Sequence, residues 1–170
     1  ISIAKLEEKF GRIKIIKALP NINWQICKGA TLFDCNDLVT SDDISYFEWF
    51  LGDITRLYRV NRDADFDRIS ALTSCLPGLF AEVIRQICLT YKIVDEKEKE
   101  LFHSALYGTI KYIVDSNKEC ETIVNEVANK GGLTEVGIST LRNHLPNLLN
   151  LLKNSLDIKI VQRKENLNRR

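Results

Sequence analysis

The chain has 170 residues, of which 45% are hydrophobic and 28% charged, and its net charge at pH 7 is +1. This apolar content supports one or two folded units and excludes a disordered or collagen-like chain. The near-neutral net charge does not indicate the basic surface that nucleic-acid-binding proteins carry. No uncharged apolar run reaches the roughly 18 residues of a membrane-spanning helix. We therefore expect neither a nucleic-acid nor a membrane partner, and we interpret the basic end, residues 159–170, as a solvated helix end.

The first sixty residues alternate between short helices and strands. A helix is predicted over residues 4–10 and ends at Gly11, a residue that readily takes the left-handed conformation. Strands are predicted over residues 12–18, 29–33 and 56–60. A further helix begins after Thr40, where hydroxyl and acidic residues precede apolar residues at helical spacing. This order predicts a mixed α/β unit.

Beyond the polar segment 61–65, which we interpret as a boundary, the apolar residues repeat with helical period. Helices are predicted over residues 79–91, 101–113, 123–127 and 136–145, and a last helix is predicted to start at Pro146. That last helix carries leucines on more than one face, at positions 148, 149, 151 and 152. Burial on two sides indicates a homodimer formed through the C-terminal helices, and a monomer whose own helices surround the last one is the alternative.

The five cysteines and two histidines form no closely spaced ligand pairs, so we expect no metal site. The cysteine number is odd and no Cys-x-x-Cys spacing occurs, which favours unpaired thiols in a reducing compartment. The chain start has no signal-peptide pattern, so we expect a cytoplasmic protein. The chain also contains no methionine, and we therefore expect Ile1 not to be the natural start.

Three short segments carry residues suited to ligand binding. Lys130-Gly131-Gly132-Leu133-Thr134 lies just before a helix, where backbone N–H groups and the helix dipole suit a carboxylate or phosphate. Thr73–Gly78 also precedes a helix, and Leu19-Pro20-Asn21 ends a strand, a position at which α/β sheets bind ligands. Each segment has a plainer interpretation as a turn or a capped helix start. From the residues alone, both interpretations stay open.

Taken in order, these segments resemble pyrroline-5-carboxylate reductases over essentially the whole chain. Residues 15–21 are similar to the family's strand that ends in Met-Pro-Asn, and residues 29–31 and 38–43 match in order and spacing. Residues 73–78 lie where the family has its Ser-Gly-Ser-Gly-Pro-Ala signature, and residues 131–134 lie on its Gly-Gly-Thr-Thr loop.

The resemblance implies an α+β fragment. Residues 1–60 would be the remnant of a Rossmann NAD(P)-binding domain, and residues 61–170 an all-α dimerisation and substrate domain. The implied function is an oxidoreductase that reduces a cyclic imine with NAD(P)H in proline biosynthesis, with NADP as cofactor of the intact parent protein. We expect the fragment itself to be inactive and not to bind NADP, because the Gly-rich cofactor turn is missing.

The resemblance also implies site residues. Thr134 would be the catalytic residue, with its hydroxyl facing the imine nitrogen. The residues implied for substrate binding are Asn129, Gly131, Gly132, Leu133 and Thr134. Those implied for cofactor binding are Pro20, Asn21, Ser74 and Cys75. The substrate would be a small cyclic imine carboxylate bound at the dimer interface.

Several residues depart from the family pattern. Ser74 and Leu76 stand where the family has glycine or another small residue, Asn129-Lys130 replaces Ser-Pro, and Leu133 replaces the first threonine of the loop. These replacements fall in the stretches implied to meet substrate and cofactor. They motivate the alternative of a divergent, non-catalytic paralogue that acts as a helical dimerisation or partner-binding module.

Overall fold

The computed structural model describes residues 1–60 and 63–168, so Asn61 and Arg62 of the predicted boundary lie outside the described residues. The elements in chain order are α1 (Ile3–Phe10), β1 (Ile16–Leu19), β2 (Gly29–Cys35), α2 (Ser41–Leu51), β3 (Thr55–Arg59), α3 (Asp63–Thr73), α4 (Leu76–Thr90), α5 (Glu96–Ser116), α6 (Cys120–Val127) and α7 (Leu133–Asn168). The predicted fold class, a small α/β unit followed by helices, is confirmed.

The sheet has three strands in the order β1-β2-β3. β1 runs antiparallel to β2, whereas β3 runs parallel to it with Gly29 opposite Thr55. A parallel pair needs a crossover connection, and α2 provides it. The central strand β2 is the most buried element, and Leu32 packs with Val60 and Phe66. The first turns of α3 therefore cover this sheet and contribute to its core.

The described chain divides into two compact units. One comprises Ile1–Arg85 together with the residues from Gln162 onward, and the other comprises Gln86–Val161. The domain boundary after residue 60 stays a prediction. The sheet and its core belong to the first unit, and the second unit is built from helices alone.

The prediction of a strand over residues 12–18 is wrong for its first part, because β1 begins only at Ile16. The side chain of the buried Asn36 forms hydrogen bonds with backbone groups that a neighbouring strand would otherwise bind. Its Oδ1 accepts a hydrogen bond from the Ile15 amide at 3.1 Å, and its Nδ2 donates to the Ile13 carbonyl at 2.7 Å. The Asn36 side chain thus satisfies these two backbone groups, and the Asn36 amide donates to the Ile15 carbonyl at 3.2 Å.

The prediction of a helix break before Pro146 is also wrong, because α7 continues through Pro146 without interruption. A proline inside a helix lacks the N–H that would bind the carbonyl four residues earlier, here that of Arg142. This segment is exposed, so water can hydrate that carbonyl. The leucine period continues on both sides of the proline and favours one long helix.

One described stretch, Asp65–Thr90, is long and apolar enough to cross a membrane by length and composition. Charged residues interrupt this stretch, so it contains no long uncharged run. The stretch contains α3, a break at Ser74 and Cys75, and α4. A helix of the length of α4 extends about 22 Å, which is less than the roughly 30 Å of a bilayer core. The absence of a membrane partner stays a prediction.

α2 begins with a reciprocal cap between Thr40 and Asp43, as the sequence predicted for this helix start. The Asp43 amide donates to the Thr40 hydroxyl at 3.3 Å, and the Thr40 amide donates to the Asp43 carboxylate at 2.8 Å. Lys14 Nζ lies 2.7 Å from the same carboxylate. Hydrogen bonds from Lys14 and Thr40 lower the pKa of Asp43 to about 2.

This cap predicts a pH dependence of stability. The pKa of Asp43 lies below the value of about 3.9 for an unfolded aspartate. Between these two pKa values the folded chain therefore binds fewer protons than the unfolded chain. The contribution of Asp43 to the stability of the fold is lost as the pH falls through this range. We expect Asp43→Asn to melt below the wild type at neutral pH and the difference to shrink toward about pH 2. Circular dichroism melts measure it, with Asp42→Asn as the control. A constant difference at every pH would contradict the assignment.

Candidate functional site

The turn after β1 is held in place by Asn21. Its Oδ1 accepts a hydrogen bond from the Ala30 amide at 3.1 Å, and its Nδ2 donates to the Thr73 carbonyl at 3.2 Å. Asn21 therefore joins the end of β1, the start of β2 and the last turn of α3. The neighbouring Pro20 is exposed. The structure thus brings Pro20 and Asn21 close to the α3–α4 turn, as expected if both contribute to one ligand site.

The α3–α4 turn consists of Ser74 and Cys75. The Oγ atom of Ser74 is buried and has no hydrogen-bond partner in the part of the chain that the structure describes. A buried hydroxyl without a partner costs free energy, so this atom is suited to a polar group from a bound molecule. Cys75 is exposed. Leu76, the replacement that the sequence analysis singled out, starts α4 with an exposed side chain.

The double-glycine loop connects α6 to α7. Gly131 has a φ of 76°, in the left-handed region that favours glycine. The Gly132 amide donates to the Asn129 carbonyl at 2.9 Å, which closes the turn. α7 begins at the next residue, and the amides of its first turn have no partner within the helix. Of the predicted loop residues, 129–132 form this turn, and Leu133 and Thr134 are the first residues of α7.

Thr134 connects this loop to a cavity within the helical unit. The cavity has a volume of about 230 Å³ and is almost entirely apolar. Its lining residues are Thr109, Ile113, Cys120, Ile123, Val124, Val127, Thr134 and Ile138. Thr134 thus contributes to the wall of an open pocket whose lining is almost entirely apolar. Leu133, by contrast, is 94% exposed.

Glu135 is a site residue that sequence reasoning missed. Its Oε2 accepts a hydrogen bond from the Gly131 amide at 2.6 Å. The sequence did contain a signal, because an acidic residue at the third helical position commonly reaches back to a backbone amide at the helix start. The predicted site comprised only residues 129–134, so it did not include Glu135.

Two exposed ion pairs involve α6. Lys118 Nζ, in the connection before α6, lies 2.7 Å from Glu126 Oε1, and Arg142 Nη2 of α7 lies 2.6 Å from Glu121 Oε1. The hydrogen bond from Lys118 lowers the pKa of Glu126. Both pairs are exposed, so each contributes little stability. Within residues 1–60 and 63–168, no group of three His, Cys, Asp or Glu could hold a metal ion.

Comparison with known proteins identified no matching family model. The chain is 32% identical over 92 residues to pyrroline-5-carboxylate reductase 3 of Bacillus subtilis (strain 168), a match that covers 51% of this chain and 34% of that protein. It is 24% identical over 150 residues to pyrroline-5-carboxylate reductase 2 of the same organism, covering 84% of this chain and 52% of that protein. The matches thus span between a third and about half of these relatives.

Solved structures share the fold. The Plasmodium falciparum pyrroline carboxylate reductase with NADP bound has a TM-score of 0.79 at 22% identity, and the match covers 93% of this chain and 63% of that one. The Coxiella burnetii pyrroline-5-carboxylate reductase has a TM-score of 0.80 at 21% identity, with coverage of 96% and 62%. The predicted resemblance to pyrroline-5-carboxylate reductases is therefore confirmed in sequence and in fold.

Proposed function

We propose that the parent protein of this chain is an NAD(P)H-dependent reductase of a cyclic imine carboxylate, like the pyrroline-5-carboxylate reductases that it resembles. The observation that carries this proposal is the double-glycine loop. The first turn of α7 has amides without a partner inside the helix, and Thr134 belongs both to this turn and to the lining of an apolar pocket. A carboxylate with a small aliphatic ring matches this combination of polar and apolar groups.

The loop binds the carboxylate of the substrate through backbone amides. A helix N-terminus stabilises a negative charge with its partial positive charge, so no arginine or lysine is required. The carbonyl of Asn129 holds the turn closed through Gly132 at 2.9 Å. Asn129, Gly131, Gly132, Leu133 and Thr134 form the proposed substrate-binding set.

Thr134 is the proposed catalytic residue. Reduction of the imine adds a hydride to carbon and a proton from solvent water to nitrogen, so that the C=N bond becomes CH–NH. A nicotinamide cofactor, when bound, supplies the hydride. The Thr134 hydroxyl orients the nitrogen by a hydrogen bond, and the loop keeps the ring in one position. Positioning of this kind lowers the activation barrier without a dedicated acid–base pair.

Pro20, Asn21, Ser74 and Cys75 are proposed to contact the cofactor. The buried Ser74 hydroxyl without a partner among the described residues supports this assignment, because a cofactor hydroxyl or amide would satisfy it. Asn21 uses both ends of its amide within the chain, so its role is to hold the two turns in position. The NADP in the Plasmodium falciparum structure supports NADP as the cofactor of the parent protein.

The helical unit is proposed to form a homodimer in the cytoplasm. None of the described side chains of residues 86–161 is fully buried. Leu101 of α5 is 73% exposed, and Leu148 and Leu151 of α7 are 61% and 66% exposed. Apolar surface this extensive is unusual for a monomer, and a second copy would cover it. All five cysteines are unpaired, which supports a reducing compartment.

NADPH oxidation by the full-length parent protein with pyrroline-5-carboxylate tests the function. We expect Thr134→Val to lower kcat by about a hundredfold, because it removes the one hydroxyl that orients the reacting nitrogen. Thr134→Ser keeps a hydroxyl and should retain most of the activity. Equal turnover by the wild type and Thr134→Val would remove Thr134 from the mechanism. No NADPH oxidation with any cyclic imine carboxylate would refute the proposed reaction.

The exposed Leu133 favours a second candidate function. A leucine that is 94% exposed at the expected substrate loop is suited to a protein partner rather than to a small ligand. The chain would then be a non-catalytic paralogue that acts as a dimerisation or partner-binding module. Replacing Leu76 by glycine in the full-length protein separates the two functions. A gain in turnover supports the reductase, and turnover that stays at zero supports the module.

A further inference from the structure

We propose that the outer face of α2 is a docking surface for an arginine-rich segment of another protein. The surface consists of Asp42, Tyr46, Trp49, Phe50 and Asp53, and we call it the α2 stripe. None of these residues belongs to the proposed substrate or cofactor sets, so the inference is independent of the proposed reaction.

The three aromatic rings of the α2 stripe lie on the side of the helix that faces away from the sheet. α2 packs on the sheet through Phe47, whose ring centroid lies 5.2 Å from that of Phe33. Tyr46, Trp49 and Phe50 are 65%, 74% and 62% exposed. The outer face of a surface helix is usually polar. The described fold therefore makes no use of these three rings.

The rings form one continuous group. The centroid of Tyr46 lies 5.7 Å from that of Trp49, and 6.3 Å from that of Phe50, with which it is stacked at an interplanar angle of 13°. The face of an aromatic ring attracts a cation. A planar guanidinium also stacks on a ring, which an ammonium group does not do, so a group of neighbouring rings favours arginine over lysine.

Carboxylates lie at both ends of this group. Asp42 stands four residues before Tyr46, and Asp53 stands four residues after Trp49, so the helical repeat places both acids in line with the rings. Eleven residues of helix separate the two acids by about 16 Å. Neither Asp42 nor Asp53 forms an ion pair among residues 1–60 and 63–168.

The surroundings of the α2 stripe keep its negative charge. Residues 41–53 contain four acidic residues and no basic one, a net charge of −4. Lys14 binds Asp43 at 2.7 Å. Lys28 precedes Gly29, whose amide donates to the Ile54 carbonyl at 3.1 Å, so a second cation lies near Asp53. Counting both lysines, the surface still has a net charge of −2.

This charge decides between possible occupants of the α2 stripe. A second copy that docked the same face on it would bring carboxylates against carboxylates. An anionic lipid surface would be repelled in the same way. An arginine-rich segment complements both the acids and the rings, and like charges placed against the surface would exclude other partners.

The test is a titration of the ¹⁵N-labelled chain with acetylated, amidated tetra-arginine, with tetra-lysine of the same form as the matched probe. The chain has two tryptophans, and each gives one indole N–H signal. Trp24 is the internal reference, because its indole donates to Thr31 Oγ1 at 2.7 Å and lies outside the α2 stripe. Tyr46→Ala and Asp42→Asn change the stripe. Tyr91→Ala, at a tyrosine just after α4 that is 77% exposed, is the control.

We expect tetra-arginine to shift the Trp49 signal and to leave the Trp24 signal in place. Tetra-lysine should bind about threefold more weakly, and Tyr46→Ala should weaken tetra-arginine binding about fivefold. Asp42→Asn should weaken it about twofold at low salt and have no effect at 1 M salt. Tyr91→Ala should resemble the wild type, and circular dichroism melts establish that each variant is folded.

Other results would overturn the inference. A shift of both indole signals, no shift of either, or equal binding by Tyr46→Ala and the wild type would remove the α2 stripe from binding. Equal affinity for tetra-lysine would show that the rings do not select arginine. A Trp49 signal that moves with chain concentration alone assigns the surface to a second copy, and one that moves with phosphatidylcholine vesicles assigns it to lipid. Loss of iodide quenching of Trp49 in the full-length parent protein would show that another part of that protein covers it.

Discussion

Replacing Leu141 and Leu148 of α7 with glutamate is expected to dissociate the proposed dimer. The two leucines are seven residues apart and so lie on one face of the helix, and they are 56% and 61% exposed in the single chain. If a second copy covers them, each substitution places a charge in an apolar interface. Both copies carry both substitutions, and a loss of about 1 kcal/mol at each of these four sites corresponds to about a thousandfold weaker dimer.

The polar side of the same helix provides a matched control. Asn143, Asn147, Asn150 and Asn154 recur at spacings of four and three residues and so form one stripe. Asn143→Glu with Asn150→Glu adds the same charges at the same spacing of seven residues on the polar side and should leave the dimer intact. Sedimentation velocity distinguishes the masses of the two states. A wild-type chain that sediments as a monomer, or a leucine variant that sediments as a dimer, contradicts the homodimer.

Local signals in the sequence predicted α1, α2, α4, α5 and α6, but they did not predict α3, whose first residues lie in the segment interpreted as a boundary. The hydroxyl of Thr40 and the acid at Asp43 mark the start of α2, and Gly11 ends α1 with a φ of 78°. Periodic apolar residues located α4, α5 and α6 to within a few residues. Such signals depend on neighbours within one or two turns of the chain, and those neighbours are visible in the sequence.

The error in the predicted start of β1 comes from contacts between residues that are distant in the sequence. The Asn36 side chain forms hydrogen bonds with Ile13 and Ile15, which are more than twenty positions away in the chain. No local pattern in the sequence predicts these hydrogen bonds. Asn21 reaches Thr73 over 52 positions. β-Propensity describes the fit to a sheet surface, so a distant side chain that takes over the backbone groups overrides it.

The candidate site was predictable as a set of segments and not as a set of contacts. Two glycines before a helix start are a local signal, so the sequence alone predicts the position of the double-glycine loop. The cavity beside Thr134 requires side chains from α5, α6 and α7 together. The hydrogen bond from the Gly131 amide to Glu135 depends on the left-handed conformation of Gly131. Glycine permits this conformation but does not require it, so the sequence alone does not predict the hydrogen bond.

Gly29→Ala is expected to destabilise the sheet unit severely. A Cβ atom on Gly29 would lie 2.2 Å from Trp24 Cδ1 and 2.8 Å from Thr55 Oγ1. Trp24 has little freedom to move away, because its Nε1 donates a hydrogen bond to Thr31 Oγ1 at 2.7 Å. Thr31 in turn shares a buried hydrogen bond of 2.8 Å with Thr55. Overpacking together with a lost hydrogen bond predicts a loss of about 2–4 kcal/mol in the free energy of unfolding.

Urea unfolding measures this loss, and Gly78→Ala is the control. A Cβ at Gly78 would meet nothing within 4 Å, and the residue lies inside α4. Alanine there should stabilise the helix by about 0.5–1 kcal/mol, the opposite sign from Gly29→Ala. Trp24→Ala provides the decisive background, because it removes the ring that the new methyl group would strike. Gly29→Ala should cost less in that background, and an equal cost in both would show that contact with Trp24 is not why this position requires glycine.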